Sequence, residues 1–441
     1  MTTAVPPRSA QPPAGPPAGG PGGMASPSAS AIPLAGEHFA AAMLYLIAGA
    51  TGLVWVAPDL AIGAYSSPHV AGITHLFTLG WLTTTIFGAL CQLLPVALGA
   101  PIRSPRVAHA SFFTFAPGVG FFVAGIASSN TSLHHTGIAL ITIGVVLAVG
   151  NIAATLPRAR SRDVTWAAIV LAISFLTSTL VLGIILLHNL HTGFIAAARL
   201  QVLATHLHVA IVGWALMMMV GVSHRLLPMF LLAHGADTRW TRRSLTLLAT
   251  GVLALAIGLL TSTAPVTWIG AALIEGGVGC FLWQAYCFYR VRIRKKIDIG
   301  MRFAMTALGF LAAAAVLGAV LLVAGSAHVR IATMYLVVGL LGGVIMFVVG
   351  LFYKIVPLLA WTARYRGRVA KGGSTPLPTV AQMYSARVAH VQLGLMASGV
   401  VILAAGIGMA MPHVVRAGGV LFLASVLLFA SQIARVAFGG K

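Results

Sequence analysis

Histidine is the residue type with the most chemistry to offer in this chain, where 15 histidines stand beside only 6 acidic residues. A neutral imidazole ligates metals, carries protons or accepts a hydrogen bond, and spacing narrows the choice. His75 is followed at +5 by Gly80, at +6 by Trp81, at +13 by Gly88 and at +20 by Pro95. His208 is followed in the same frame by Gly213, Trp214, Gly221 and Pro228. A third segment keeps Gly342, Gly350 and Pro357 but places Val337 where the histidine would stand, with Tyr335 two residues earlier. The chain is thus a threefold repeat with a period of about 130 residues. Repeat-equivalent histidines lie at equal depth, and two neutral imidazoles facing each other across a gap are what axial ligation of one haem iron requires. The expected pair is His75 with His208, and Gly80 and Gly213 are expected to leave room for a flat macrocycle. Residues two apart on a helix point about 200° away from each other, so His206 gives the same helix a second site on its opposite face. The competing reading makes these histidines interfacial residues bonded to water or to backbone carbonyls.

Other residues offer secondary chemistry. His134 and His135 open one helix, and His188 and His191 lie three apart before another; these imidazoles suit copper, as an ordinary solvated loop would also suit them. Glu275 is the only acid well inside a helix, which makes it a candidate for a proton path or a cation partner, against a structural hydrogen bond. Gln92, Arg225 and Lys354 share one repeat position, three residues before each proline, and are expected to meet lipid headgroups. The echo Arg106-Val107-Ala108-His109 and Arg387-Val388-Ala389-His390 reads as structural. His38 beside Glu37 reads as an interfacial pair, and Met217, Met218 and Met219 as packing. Cys91, Cys280 and Cys287 form neither a C-x-x-C nor a C-x-x-C-H motif, so haem would be held non-covalently, as in a b-type site.

The elements that position these residues follow from composition. Of 441 residues 59% are apolar and 7% charged, with mean hydropathy +0.97. Too few polar side chains exist to clothe a water-soluble globule, so the surface faces a lipid bilayer. The net charge of +21 does not signal nucleic acid, because the basic residues fall in short loops between apolar runs. Runs near 38-57, 70-98, 108-128, 133-155, 164-187, 200-232, 243-262, 266-289, 301-325, 328-361, 386-409 and 412-437 are each long enough to cross about 30 Å of hydrocarbon as a helix. The expected fold is an all-α bundle of twelve transmembrane helices in a pseudo-threefold 4+4+4 order, with repeats at roughly 37-160, 161-295 and 296-441. Residues 1-36, rich in Pro, Gly, Ala and Ser, read as a disordered tail without signal-peptide character. Arginines and lysines concentrate in the even-to-odd loops, whereas only Arg199, Arg330 and Arg416 lie on the other side. That asymmetry puts both termini in the cytoplasm and the chain in the inner (plasma) membrane.

In these residues the chain resembles the heme-copper oxidase superfamily, the catalytic subunit I of cytochrome c oxidases and nitric oxide reductases. His206-Leu207-His208 with Gly221 and Pro228 looks like that family's H-x-H helix, and His75 with Pro95-Val96-Ala97-Leu98-Gly99-Ala100-Pro101 looks like its low-spin haem helix. In sequence the likeness covers helices 2 and 6; as architecture it extends over the chain. The H-x-H lies here on helix 6 instead of helix 10, and no H-P-E-V-Y segment or histidine pair on helix 7 is present. The family's copper ligands therefore have no counterpart. The layout is also similar to the NnrS family, twelve-helix membrane proteins holding haem and copper and linked to nitric oxide stress. The resemblance implies a membrane haem protein acting in electron transfer or in oxygen or nitric oxide chemistry. It further implies an electron-donor protein or further subunits as partners. The rival expectation is a secondary transporter with a histidine-lined central site, since twelve helices and internal repeats also occur there.

Overall fold

A computed structural model of the chain describes residues 31–233, 235, 237–325, 328–370 and 377–439, without the side chains of 31–32 and 366–370. Residues 1–30 of the expected tail lie outside that set, as does Lys371. Residues 31–36 are helical rather than part of the tail, because Leu34 is buried against Cys91 and Ala108 and anchors the first turns.

Twelve helices are long and apolar enough to cross a membrane, and no strand occurs among the described residues. They are α1 (Pro33–Trp55), α2 (Pro68–Leu98), α3 (Pro105–Ser128), α4 (Thr131–Arg158), α5 (Val164–Thr192) and α6 (Ala196–Leu231). The others are α7 (Arg239–Leu260), α8 (Ala264–Arg290), α9 (Ile299–Ala324), α10 (Val329–Tyr365), α11 (Ala386–Gly408) and α12 (Pro412–Phe438). The protein is therefore an all-α, multi-pass bundle. Large apolar side chains such as Leu44 and Val323 project from it fully enough to need lipid around them.

The second helix of each repeat forms the inside. The apolar windows of α2, α6 and α10 are 67, 61 and 78% buried, against 22–44% for the other nine. Each of the three changes from α-helix to an eight-residue π-helix immediately after the repeat's key position, at Leu76–Thr83, Val209–Leu216 and Val338–Ile345. In α2 the Thr83 and Thr84 hydroxyls donate to carbonyls five residues back, Thr78 and Leu79, which suits the wider turn. Such segments are uncommon and tend to mark functional sites.

The repeated glycines lock each first helix onto its second. A Cβ on Gly80, Gly213 or Gly342 would come within 2.6–2.7 Å of Tyr45, Phe175 or Phe310. One face lower, Gly88, Gly221 and Gly350 receive His38, Ala168 and Phe303 in the same register. Gly80 and Gly213 therefore make room for an aromatic ring of their own repeat, and the expectation that they clear space for a macrocycle is corrected. Close helix approach through small residues is the general device of membrane packing.

Third and fourth helices pair through glycine in the same way, and one end of each pair is pinned by an amide. Asn151, Gln284 and Gln432 accept from the backbone N–H of Ser104, Thr241 and Ser385 at 3.0, 3.2 and 2.8 Å. At the same end Arg225 pairs with Asp163 and Lys354 with Asp298, so these two cations serve ion pairs between helices instead of the lipid contacts expected of them. In the first repeat the register places Pro33 opposite Gln92, and acid and base are lost together.

Candidate functional site

Three repeats in a ring enclose three spaces between neighbours. A residue at the key position of one repeat faces the residue two places earlier in the next. In the first space, cavity A, these are His75 and His206, with ring centres 6.3 Å apart and planes inclined by 34°. In the second, cavity B, they are His208 and Tyr335, at 6.0 Å and 27°. The third space would set Val337 against Ile73, but Ile73 packs on Gly52 of α1. Trp81 lies there against Phe352 and Phe429, at 4.9 and 6.0 Å between ring centres.

The expected pairing of His75 with His208 is therefore not the one the structure makes. Rotation within a ring carries equivalent residues onto equivalent spaces, never onto the same one. His206, on the opposite face of its helix from His208 as the 200° argument requires, turns back to meet His75.

Local chemistry differs among the three rings. His75 Nδ1 lies 2.7 Å from the Ala71 carbonyl and His208 Nδ1 lies 2.8 Å from that of Ala204. A carbonyl only accepts, so in the neutral ring Nδ1 carries the proton and Nε2 keeps its lone pair. His38 and His390 make the same bond to Leu34 and Ala386 without lining either cavity, so the cavity and not the bond distinguishes His75 and His208. The His206 ring lies beside the Thr179 backbone, and its Nδ1 makes no well-formed hydrogen bond, which costs free energy unless something binds it. Gly183 gives that ring its place, since a Cβ there would come 3.4 Å from His206 Cε1.

Cavity A measures about 200 Å³. Leu79, Leu180 and Leu203 supply apolar wall, Thr78, Thr83 and Thr179 polar wall, and Arg199 and Ser66 lie at the rim. Its floor is tied across repeats by the Trp214 indole, which donates to Thr83 Oγ1 at 3.1 Å. Cavity B is larger, about 500 Å³, for a reason visible in the repeat. Where the first two repeats carry Trp81 and Trp214, the third carries Gly343. Leu207, Ile211 and Leu336 form the partition between the cavities, and Tyr65 lines both. Burial in the connection between α1 and α2 pushes the Tyr65 phenol up from its ordinary value, so it stays a neutral donor.

The remaining candidates fall outside these pairs. His135 stacks on His191 at 5.2 Å, and His134 meets His191 at 5.7 Å with both of its own nitrogens buried and unpartnered. His188 turns instead to Phe194, 5.1 Å away. Among the described residues no three His, Cys, Asp or Glu side chains are set to close on one ion, so the copper expected at His134, His135, His188 and His191 has no preformed cage. Phe122 links this group to cavity A, 5.2 Å from His75 and 5.9 Å from His134. Glu275 lines cavity B. Glu37 lies 3.8 Å from the buried His38, as expected, and has His109 as a nearer partner at 2.8 Å. Met217, Met218 and Met219 are all buried, and Cys91, Cys280 and Cys287 are free thiols.

Sequence reasoning passed over Tyr335, Gln201 and Gly343 as site residues. Reading every repeat at two places before and six places after the key position would have found Tyr335 and Gly343; nothing in the pattern marks Gln201. No protein-family model matches the chain, and no curated protein matches it.

Proposed function

We propose that this chain is an integral membrane haem protein in which His75 and His206 hold the iron of one b-type haem within cavity A, and that it works in electron transfer. The facing imidazoles carry the reading. A metal–nitrogen bond of about 2.0 Å, as at zinc, plus about 1.1 Å from nitrogen to ring centre would put the centres of two imidazoles sharing one metal up to about 6.2 Å apart. The measured separation is 6.3 Å. The donor set fits as well: the Ala71 carbonyl orients His75 with Nε2 free, and His206 has an orphaned nitrogen. Bonds from the non-ligating nitrogen to a carbonyl are how proteins fix such ligands.

When bound, haem supplies one-electron exchange, and two imidazole ligands leave no open position for a gas. The chain's own part is positional. His75 and His206 come from different repeats, so binding joins them. Thr83 and Trp214 hold the floor, and the Arg199 guanidinium at the rim offers a cation to carboxylates. The free space is below the roughly 300–1,000 Å³ of ordinary ligand sites, so a macrocycle would need Leu79, Leu180 and Leu203 to turn aside. The loop charges argue that the Arg199 end is the outer face and that both termini are cytoplasmic in a plasma membrane. A donor protein or further subunit would meet that end, where His134, Phe122 and His75 follow each other inward. The transporter reading finds less support, since the histidines line spaces between repeats and not a central path.

Carbon monoxide tests this. Purified protein should show a Soret band with sharp reduced α and β bands that the gas leaves unshifted. A colourless, folded protein, or a spectrum fully converted by the gas, contradicts the proposal.

A further inference from the structure

Cavity B plays no part in that reading, yet its walls ask for a ligand of definite chemistry. Three acceptor groups line it. His208 Nδ1 is engaged with Ala204, leaving Nε2 as a lone pair. Gln201 Oε1 is buried with no hydrogen-bond partner. Glu275 makes no hydrogen bond or ion pair among the described residues, and a carboxyl accepts through at least one oxygen whether ionised or not. The rest of the wall is mainly Leu, Ile, Ala and Gly, with the Tyr335 phenol alongside His208. Ser262 and the half-exposed Trp268 stand at the rim, where α7 turns into α8. Tryptophan at the end of a membrane helix favours the lipid interface, so this mouth admits molecules partitioned into the bilayer.

The buried, unpaired Gln201 Oε1 is costly, and it is matched by a ligand that brings a donor. We propose that cavity B binds a lipid-soluble hydroquinone, whose two hydroxyls donate to His208 Nε2 on one wall and to Gln201 Oε1 or Glu275 on another, with its tail leaving past Trp268. The oxidised quinone cannot donate to these three groups and relies on the Tyr65 and Tyr335 phenols instead. A haem macrocycle also brings no donor for Gln201 or Glu275. Gly343, next to the lining residue Val344, stands at the repeat position that holds Trp81 and Trp214 in the other two spaces, and a tryptophan there would reduce the space.

The test is equilibrium binding to the purified full chain in nanodiscs under anaerobic conditions. The probes are a decyl-substituted benzohydroquinone, its quinone and its dimethyl ether. Losing two hydrogen bonds should weaken the ether on the order of tenfold or more, with the quinone between the two. Gln201→Leu should shrink that discrimination. Gly343→Trp should abolish binding while elution volume and melting temperature stay those of the parent, which separates a blocked cavity from a misfolded chain. Equal affinity for hydroquinone and ether overturns the proposal, as does unchanged binding in well-folded Gly343→Trp. Two haems per chain, the second lost in Gly343→Trp, would also overturn it. Cavity B and cavity A are read from different residues, so a colourless protein that binds hydroquinone, or a haem protein that does not, identifies which proposal has failed.

Discussion

Replacing Gly213 by alanine adds one methyl group at one of the close repeated contacts of the bundle. The new Cβ would stand 2.7 Å from Phe175 Cγ and 2.9 Å from Phe175 Cβ, where carbon atoms prefer about 3.5–4.0 Å. The obstructing atoms are the base of the Phe175 side chain, which no rotamer change moves far, so α5 and α6 must separate. Overpacking of this kind costs about 1–3 kcal/mol. Gly343→Ala is the control, since its Cβ would first meet Leu311 at 3.7 Å, an ordinary contact. Reversible unfolding in mixed micelles, followed by tryptophan fluorescence, measures both. Gly213→Ala should be destabilised and Gly343→Ala should not, and adding Phe175→Leu should recover part of the Gly213→Ala loss, with a coupling of about 0.5–3 kcal/mol. Equal stability of the two alanine variants, or strict additivity with Phe175→Leu, would refute the reasoning that the glycine exists to seat that ring.

The ion pairs between helices make a second prediction. Lys354→Met should leave Asp298 with only Arg294, 3.2 Å away, and cost about 1–3 kcal/mol, less than the 3–5 kcal/mol of a fully buried pair. The double neutral variant Asp298→Asn with Lys354→Gln should cost less than Lys354→Met alone, because the first repeat already manages with Gln92. A third prediction concerns orientation: cysteines introduced at Arg292 or Lys295 should label from the cytoplasmic side of intact cells' membranes only, and labelling from outside would reverse the depth assigned to both cavities.

Much of this architecture was legible in residue order. The twelve apolar runs declare the spans, and the frame of His75 and His208 with their glycines and prolines declares the repeat. The partner choice was not legible. A repeat says that His75 and His208 are equivalent, but not in which direction round the ring each one faces. Only packing decides that His75 meets His206 and that His208 meets Tyr335. The π-helical segments leave no periodic signature either, because the surrounding runs are apolar on all sides. Gly80 and Gly213 show the opposite limit: their spacing was visible, but a missing side chain does not say what fills its place. Arg225 and Lys354 looked like headgroup contacts because their partners, Asp163 and Asp298, lie more than fifty residues away.

The most direct measurement is the reduced-minus-oxidised spectrum, with haem counted per chain, of His75→Ala, His206→Ala and His208→Ala beside the parent protein. The account predicts that the sharp α and β bands vanish in the first two variants and persist in the third. Their persistence in His206→Ala together with their loss in His208→Ala would contradict it, because the iron would then belong to the pair that the ring of repeats keeps apart.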